Sequence, residues 1–268
     1  DWHRDWYTTN DPEKWAKGRK PALVQTGRGW RLTIGERKRI LLHNIFGVDI
    51  DPQAVEVTKL SLLLKVLEGE TSQSIQSLFT FLHERALPDL GDNIKCGNSL
   101  IGPDFYQQAE LPLLSDDEKL RLNVFDWWGQ DGFSEIRKAG GFDAVIGNPP
   151  YVDIKGMPSM EAEYIYNGFT CANNRINLFA AFIEKSLGIC ATSRFRFSMI
   201  VPTAVLTQES YRALRRKILQ EQQVVSIVRL PNESFGAAAG DVKVDTVILV
   251  LTAKRGEPAA VEVVGYGG

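Results

Sequence analysis

The chain has 268 residues, of which 44% are hydrophobic, and a formal net charge of -2. This is enough apolar material for one large domain or two small ones. A net charge this close to zero does not by itself attract polyanions such as nucleic acids. We find no secretory signal and no apolar run long enough to cross a bilayer. The three cysteines lack the spacing of a zinc site or a disulfide framework, so we expect a cytoplasmic protein without a metal.

Residues 1–31 interleave four tryptophans with lysines and arginines. Alternating basic and aromatic side chains can contact a nucleic-acid strand through its phosphates and by stacking. The alternative is an insertion whose tryptophans dock on the rest of the protein, and the lack of any periodicity favours it. We treat residues 1–31 as a separate segment or insertion and residues 32–268 as the main domain.

A helix, a strand and a second helix are predicted next. Thr33 and Glu36 have the spacing of a capping box, which predicts a helix that begins there and runs to about residue 44. Residues 46–50 predict a strand. Asp51 and Pro52 then predict the N-cap and first turn of the following helix.

An acidic residue stands at the carboxyl end of that strand. In a Rossmann-like unit, an acid at the tip of the second strand accepts hydrogen bonds from ribose hydroxyls. Asp49 is therefore our candidate for the ribose of a nucleoside cofactor, and Ile50 is the candidate for packing against its adenine. The alternative is that Asp49 has a structural role alone.

The most informative stretch is Asn148-Pro149-Pro150-Tyr151, which follows the apolar run at residues 142–146. We predict that this run is a strand buried on both faces, so the tetrapeptide leaves its carboxyl end, where open α/β sheets bind ligands. The two prolines fix two φ angles and present only carbonyl oxygens.

This tetrapeptide combines two acceptors with an aromatic ring. The Asn148 side-chain oxygen and the Pro149 carbonyl oxygen can hold the two hydrogens of a planar amine and turn its lone pair towards an electrophile. Tyr151 can stack on the ring that carries the amine. The alternative is a proline-rich surface turn without a catalytic role.

Residues 140–152 and the segment at residues 47–52 resemble the Eco57I type of restriction-modification methylase. The resemblance implies a Rossmann-like class I methyltransferase fold, with a mostly parallel sheet and an antiparallel C-terminal hairpin. It also implies transfer of a methyl group from S-adenosylmethionine to the N6 amine of adenine in DNA. Asn148, Pro149 and Pro150 would then be catalytic, and Tyr151 would stack on the extruded base.

The same resemblance implies two further site residues. Asn98 occupies the position at which related methylases carry an Asp or Asn that contacts the adenine amine of the cofactor, and the alternative is a plain turn residue. Phe235 lies in a loop that resembles the one carrying a second base-stacking aromatic residue, and the alternative is an anchor for that loop. A base held between two rings recovers part of the stacking that it loses on leaving the duplex.

The remaining segments predict a long loop and three strands. We expect residues 152–175 to form a mobile loop that closes over the target. Residues 197–202 predict a buried strand, and residues 224–230 predict another. Residues 242–252 predict an antiparallel partner for the second of these, at the edge of the sheet.

The family's glycine-rich cofactor loop is absent, and no target-recognition domain follows. We therefore expect this chain to be a piece of a larger polypeptide, with DNA and the recognition and nuclease modules of that polypeptide as its partners. A degenerate relative is the alternative explanation. The functional alternatives are methylation of a protein glutamine or an RNA base, or a non-catalytic DNA-binding fragment.

Overall fold

The computed structural model describes residues 2–70, 88–107, 114–171, 177–230 and 245–254, together with the backbone of residues 262–265. The chain forms two compact units, residues 1–98 and residues 99–268. The boundary that we predicted after residue 31 stays a prediction. Within the described ranges, no helix is both long and apolar enough to span a membrane.

The first unit contains a small antiparallel hairpin and a parallel strand pair with two longer helices. Its elements are α1 (Trp2–Thr9), α2 (Pro12–Trp15), β1 (Leu23–Thr26), β2 (Gly29–Leu32), α3 (Ile34–Asn44), β3 (Gly47–Asp49), α4 (Pro52–Leu67) and β4 (Ile94–Cys96). The strands β1 and β2 pair with each other, and β3 pairs with β4. A core formed by α3, α4, β4 and Leu90 supports the parallel pair.

Thr33 caps α3 as predicted, but the other half of the capping box does not form. The Thr33 hydroxyl oxygen accepts a hydrogen bond from the Glu36 N–H at 3.2 Å. The Thr33 N–H donates instead to the Ala22 carbonyl oxygen. The Glu36 carboxylate accepts hydrogen bonds from the Tyr7 hydroxyl at 2.7 Å and from the Arg39 guanidinium at 2.6 Å. A tertiary contact with α1 therefore replaces the local one.

We expect the folding stability of the first unit to depend on pH through Glu36. Burial alone would raise the pKa of Glu36, but hydrogen bonds from Arg39 and Tyr7 outweigh it, so the pKa lies below the ordinary carboxyl value of 4.5. A lowered folded-state pKa adds stability above the unfolded-state value, and that stability is lost as the pH falls through the folded-state pKa. In thermal melts, Glu36→Gln should therefore lie below the wild type at neutral pH, and the gap should shrink below pH 4.5.

The matched control is Glu13→Gln. Glu13 pairs with Lys17 at the surface, where both side chains are about three-quarters exposed. An exposed pair of this kind contributes little, so this variant should melt close to the wild type at every pH. A constant gap between Glu36→Gln and the wild type from neutral pH down to acid would contradict the assignment.

The N-terminal tryptophans divide into docked and exposed side chains. Trp15 and Trp30 pack against a small core that contains Tyr7 and Leu23, as the docking alternative predicts. Trp2 is 70% exposed. A role for residues 1–31 in binding nucleic acid stays a prediction.

The second unit is built on a five-stranded sheet. Its helices are α5 (Asp116–Leu122), α6 (Ser134–Lys138), α7 (Ser159–Gly168), α8 (Leu178–Ile189), α9 (Ala204–Thr207) and α10 (Arg212–Glu221). Its strands are β5 (Ala144–Gly147), β6 (Arg196–Pro202), β7 (Gln222–Arg229), β8 (Thr246–Ala253) and β9 (Glu262–Gly265). Short 3-10 turns are formed by Pro103–Gln107, Ile154–Gly156 and Glu209–Tyr211.

The sheet is mixed, so the prediction of a mostly parallel sheet is not confirmed. The strand order is β5-β6-β8-β7-β9, and β8 runs antiparallel to both of its neighbours. The predicted antiparallel pairing of β7 with β8 is confirmed, but β8 lies inside the sheet and not at its edge. Burial explains this, because Val247, Leu249 and Leu251 of β8 are all less than 5% exposed. An apolar strand of this kind is better placed between two partners than at an open edge.

The prediction that β5 is buried on both faces is wrong. Ile146 is 84% exposed and Ala144 is also exposed. The facing residues Phe197 and Met199 of β6 are buried in a core that includes α8 and α10. Side chains alternate between the two faces of a strand, and Val145 packs on this core whereas Ala144 and Ile146 point to the opposite face of the sheet.

Candidate functional site

The predicted catalytic tetrapeptide leaves the carboxyl end of β5, as the sequence indicates. The strand ends at Gly147, and Asn148 follows it with an exposed side chain. Pro149 is buried, whereas Pro150 is exposed. The buried proline fixes the turn to the protein, and the Asn148 carboxamide projects where a ligand can reach it. The catalytic roles of these residues stay predictions.

Tyr151 is half-buried, and its hydroxyl group lies close to two oxygen atoms, one on β6 and one in the tetrapeptide. It donates to the carbonyl oxygen of Ile200 at 3.0 Å and lies 3.5 Å from the Asn148 side-chain oxygen. Burial raises the pKa of the Tyr151 hydroxyl above its ordinary value. The edge of its ring meets Phe179, with 6.4 Å between the ring centroids.

The N-terminus of α8 is hydrogen-bonded to the segment that directly follows the tetrapeptide. The Leu178 N–H donates to the Val152 carbonyl oxygen at 2.8 Å. Phe179 is 1% exposed and packs against Tyr211 with 5.0 Å between the ring centroids. Strand β6 and helix α8 therefore fix the two ends of the turn, which is the rigidity that positioning a substrate requires.

The long loop predicted at residues 152–175 contains regular structure. A 3-10 turn at Ile154–Gly156 and the helix α7 occupy most of it. Ile154 and Ile165 are fully buried, and these contacts explain why the segment is ordered there. The expectation of a structureless segment is wrong for its described part, and closure over a target stays a prediction.

The three candidate cofactor residues lie at the carboxyl ends of the parallel strands β3 and β4 in the first unit. Asp49 lies opposite Cys96 in the register of the two strands. The Gly97 N–H donates to the Asp49 carbonyl oxygen at 2.8 Å, and Asn98 follows directly. Because β3 and β4 are parallel, Ile50 and Asn98 both leave the carboxyl ends of neighbouring strands, where sheets of this kind bind ligands.

Asp49 and Asp51 have different hydrogen-bonding roles. Asp51 caps α4 by accepting a hydrogen bond from the Gln53 N–H at 2.8 Å, as predicted. One oxygen of the exposed Asp49 carboxylate accepts from the Asp51 N–H at 2.9 Å. The described residues offer no partner to its other oxygen. That free acceptor beside Ile50, which is 50% exposed, suits a nucleoside with a ribose diol and a planar base.

The site residues belong to different parts of the chain. Asp49, Ile50 and Asn98 are in the first unit, and the tetrapeptide is in the second. Phe235 lies outside the described residues. Our reading of the sequence missed the Ile200 contact, because a backbone carbonyl oxygen leaves no signal in a sequence.

The sequence has relatives among restriction-modification enzymes. A model of the Eco57I restriction-modification methylase family matches residues 43–235. Over 227 residues the chain is 28% identical to the type II restriction enzyme and methyltransferase RM.Eco57I of Escherichia coli, covering 83% of this chain and 19% of that protein. It is also 28% identical over 101 residues to the adenine-specific methyltransferase BrxX of Escherichia coli O9:H4 (strain HS), covering 38% of this chain and 8% of that protein. The chain thus spans a minor part of these relatives.

Solved structures share the fold. The nuclease-deletion mutant of the Type ISP restriction-modification enzyme LlaGI, solved with a DNA substrate mimic, matches 87% of this chain with a TM-score of 0.54 and 11% identity, over 19% of the LlaGI chain. The DrdV chain of a DrdV–DNA complex matches 88% of this chain with a TM-score of 0.53 and 10% identity, over 22% of that chain. At this level of identity, the likeness concerns the fold alone.

Proposed function

This chain belongs to the Eco57I restriction-modification methylase family, and from that membership we propose that it methylates the exocyclic N6 amine of adenine in DNA. The observation that supports the proposal most is the exposed Asn148 carboxamide at the end of β5, beside the ring of Tyr151. Acceptors and an aromatic platform on a rigid turn are what a planar amine requires.

The expected cofactor is S-adenosylmethionine, whose sulfonium supplies an activated methyl group. In this chain, the free oxygen of Asp49 would accept hydrogen bonds from the ribose. Ile50 would pack against the adenine, and Asn98 would accept from the adenine amine. These residues fit an adenosine group because they combine a carboxylate, an exposed aliphatic side chain and an amide at one sheet edge.

The catalytic turn would work by holding and aiming the target. The lone pair of an aromatic amine is delocalised into its ring, which makes the amine a poor nucleophile. The Asn148 and Pro149 oxygens would each accept one amine hydrogen and stabilise the positive charge that develops on nitrogen. Tyr151 would stack on the base, and Phe235 is the proposed ring on its other face. Pro150 would keep the turn rigid.

The partners that we propose are DNA and further modules of a longer polypeptide. RM.Eco57I carries a restriction enzyme and a methyltransferase in one protein, of which this chain matches 19%. Target recognition and any nuclease activity would then belong to other parts of such a protein. A cytoplasmic location follows from a DNA substrate and is part of the same proposal.

The deciding experiment is transfer of a labelled methyl group from S-adenosylmethionine to DNA, RNA and protein in separate reactions. The products are then digested to nucleosides or amino acids and separated. We expect label in N6-methyladenine from DNA. Label in an RNA base or in glutamine would assign the chain to another planar amine. DNA binding without label in any acceptor would support a non-catalytic fragment.

A further inference from the structure

Helix α1 presents two tryptophans to solvent. Trp2 is 70% exposed and Trp6 is 42% exposed. They are four residues apart in α1, so their side chains lie on the same face of the helix, one turn from each other. Two large aromatic side chains next to each other in solvent are typical of an interaction surface.

Docking on the first unit accounts for the other two tryptophans of this segment but not for these. Trp15 and Trp30 pack against a small core of the first unit. Trp6 adjoins that packing, with 5.6 Å between its ring centroid and that of Trp15. Among the described residues, the ring contact of Trp2 is with its neighbour His3. Trp2 and Trp6 therefore keep ring surface that the first unit leaves uncovered.

Two cations lie close to Trp15 along the chain and in space. The Ala22 N–H donates to the Trp15 carbonyl oxygen at 2.9 Å, so residues 16–21 form a loop that leaves Trp15 and returns to it. Arg19 and Lys20 lie in that loop, and both side chains are exposed. A loop this short keeps the two cations near the aromatic rings.

The positive charge of this segment is not neutralised by its own acids. Residues 1–31 hold seven lysines and arginines and four acidic residues, whereas the whole chain has a net charge of -2. The described acids already have partners, which are Arg4 for Asp5, the Lys14 N–H for Asp11 and Lys17 for Glu13. Within the described ranges, no carboxylate pairs with the side chain of Lys14, Arg19 or Lys20. The Lys14 ammonium lies instead over the ring of Trp15, 5.7 Å from its centroid.

We propose that the exposed side of this segment is a DNA-binding surface, in which cations contact phosphates and indole rings stack on unpaired bases. We call it the N-terminal aromatic surface, and it consists of Trp2, Trp6, Lys14, Arg19 and Lys20. Aromatic rings beside unpaired cations are the combination that holds a single nucleic-acid strand. The inference rests on the proposed function, which names DNA as the polyanion and requires a base to leave its duplex. A protein module that covered the two rings would not need the unpaired cations.

The electrostatic part of the proposal is tested by the salt dependence of DNA binding. A fluorescently labelled single-stranded oligonucleotide is titrated with the protein at several salt concentrations, without cofactor. Each phosphate contact with a single strand contributes about 0.7 to the slope of log K against log salt, so the Arg19→Gln/Lys20→Gln variant should lose about 1.4. Arg137→Gln/Lys138→Gln is the matched control, because it removes two neighbouring exposed cations of α6 and should keep the wild-type slope. An unchanged slope in the first variant, or the same loss in both, would overturn the proposal.

The stacking part is tested at Trp2, whose exposed ring can be replaced without disturbing a core. Trp2→Leu keeps an apolar side chain but has no aromatic face, and we expect it to bind the oligonucleotide about tenfold more weakly. Trp2→Phe keeps an aromatic face and should stay within about threefold of the wild-type affinity. Both variants should retain the salt slope and the melting temperature of the wild type. Wild-type affinity in Trp2→Leu, or equal losses in the two variants, would refute stacking on DNA.

These binding measurements are independent of turnover, so the surface and the proposed function can fail separately. A wild-type protein that binds the oligonucleotide with the expected variant effects but transfers no methyl group would refute the proposed function and support the surface. A protein that methylates DNA while the variants keep wild-type affinity and salt slope would refute the surface alone. A wild-type protein that binds no oligonucleotide at low salt would also refute the surface.

Discussion

Asn148→Ala is expected to reduce methyl transfer by at least about 100-fold, the scale on which removal of one preorganised hydrogen-bonding group slows an enzyme. The side chain is exposed, and among the described residues its contact is the long one with the Tyr151 hydroxyl. Its loss should therefore leave the melting temperature close to that of the wild type. The measurement is kcat for labelled methyl transfer to DNA, together with a thermal melt of the same samples.

Two further variants make this result specific. Asn148→Asp keeps an acceptor oxygen at the same place, so it should retain part of the activity that Asn148→Ala loses. Asn44→Ala removes another exposed asparagine, whose amide donates to the Ile40 carbonyl oxygen, and should transfer methyl groups at the wild-type rate. Turnover at the wild-type rate in Asn148→Ala would remove this residue from the catalytic site.

Asp49→Ala is expected to weaken the binding of S-adenosylmethionine by about ten- to a hundredfold. A hydrogen bond to a charged group contributes about 1.5–3 kcal/mol, and each 1.4 kcal/mol is about a factor of ten in affinity. Isothermal titration of the cofactor into the protein without DNA measures this directly. The kcat of the variant should fall only at concentrations of S-adenosylmethionine that do not saturate its cofactor site.

Asp51→Ala is the matched control, because Asp51 is a neighbouring carboxylate with a different role. It caps α4 through the Gln53 N–H, so its loss should cost about 1 kcal/mol of folding free energy. Cofactor affinity should stay close to that of the wild type. If Asp49→Ala binds the cofactor as tightly as the wild type does, or if the two variants lose the same affinity, Asp49 is not the ribose ligand.

The sequence by itself predicted the features that depend on neighbouring residues. Thr33 and Asp51 cap helices where their spacing predicts, since a cap is a contact across two or three residues. The tetrapeptide at residues 148–151 leaves the end of a strand, because an apolar run followed by two prolines has few other local solutions. The family resemblance depends on the same short segments.

The tertiary structure decided the features that depend on partners far along the chain. Strand β8 lies inside the sheet because burial of its apolar side chains is gained between two neighbours, and no local pattern records which neighbours those are. Ile146 is exposed because the core packs on the face of β5 that carries Val145, and the apolar run by itself does not record which face is covered. The bond from Tyr151 to Ile200 joins residues 49 positions apart through a backbone oxygen. Side-chain identity specifies local geometry, whereas long-range hydrogen bonds and burial determine which of these groups meet.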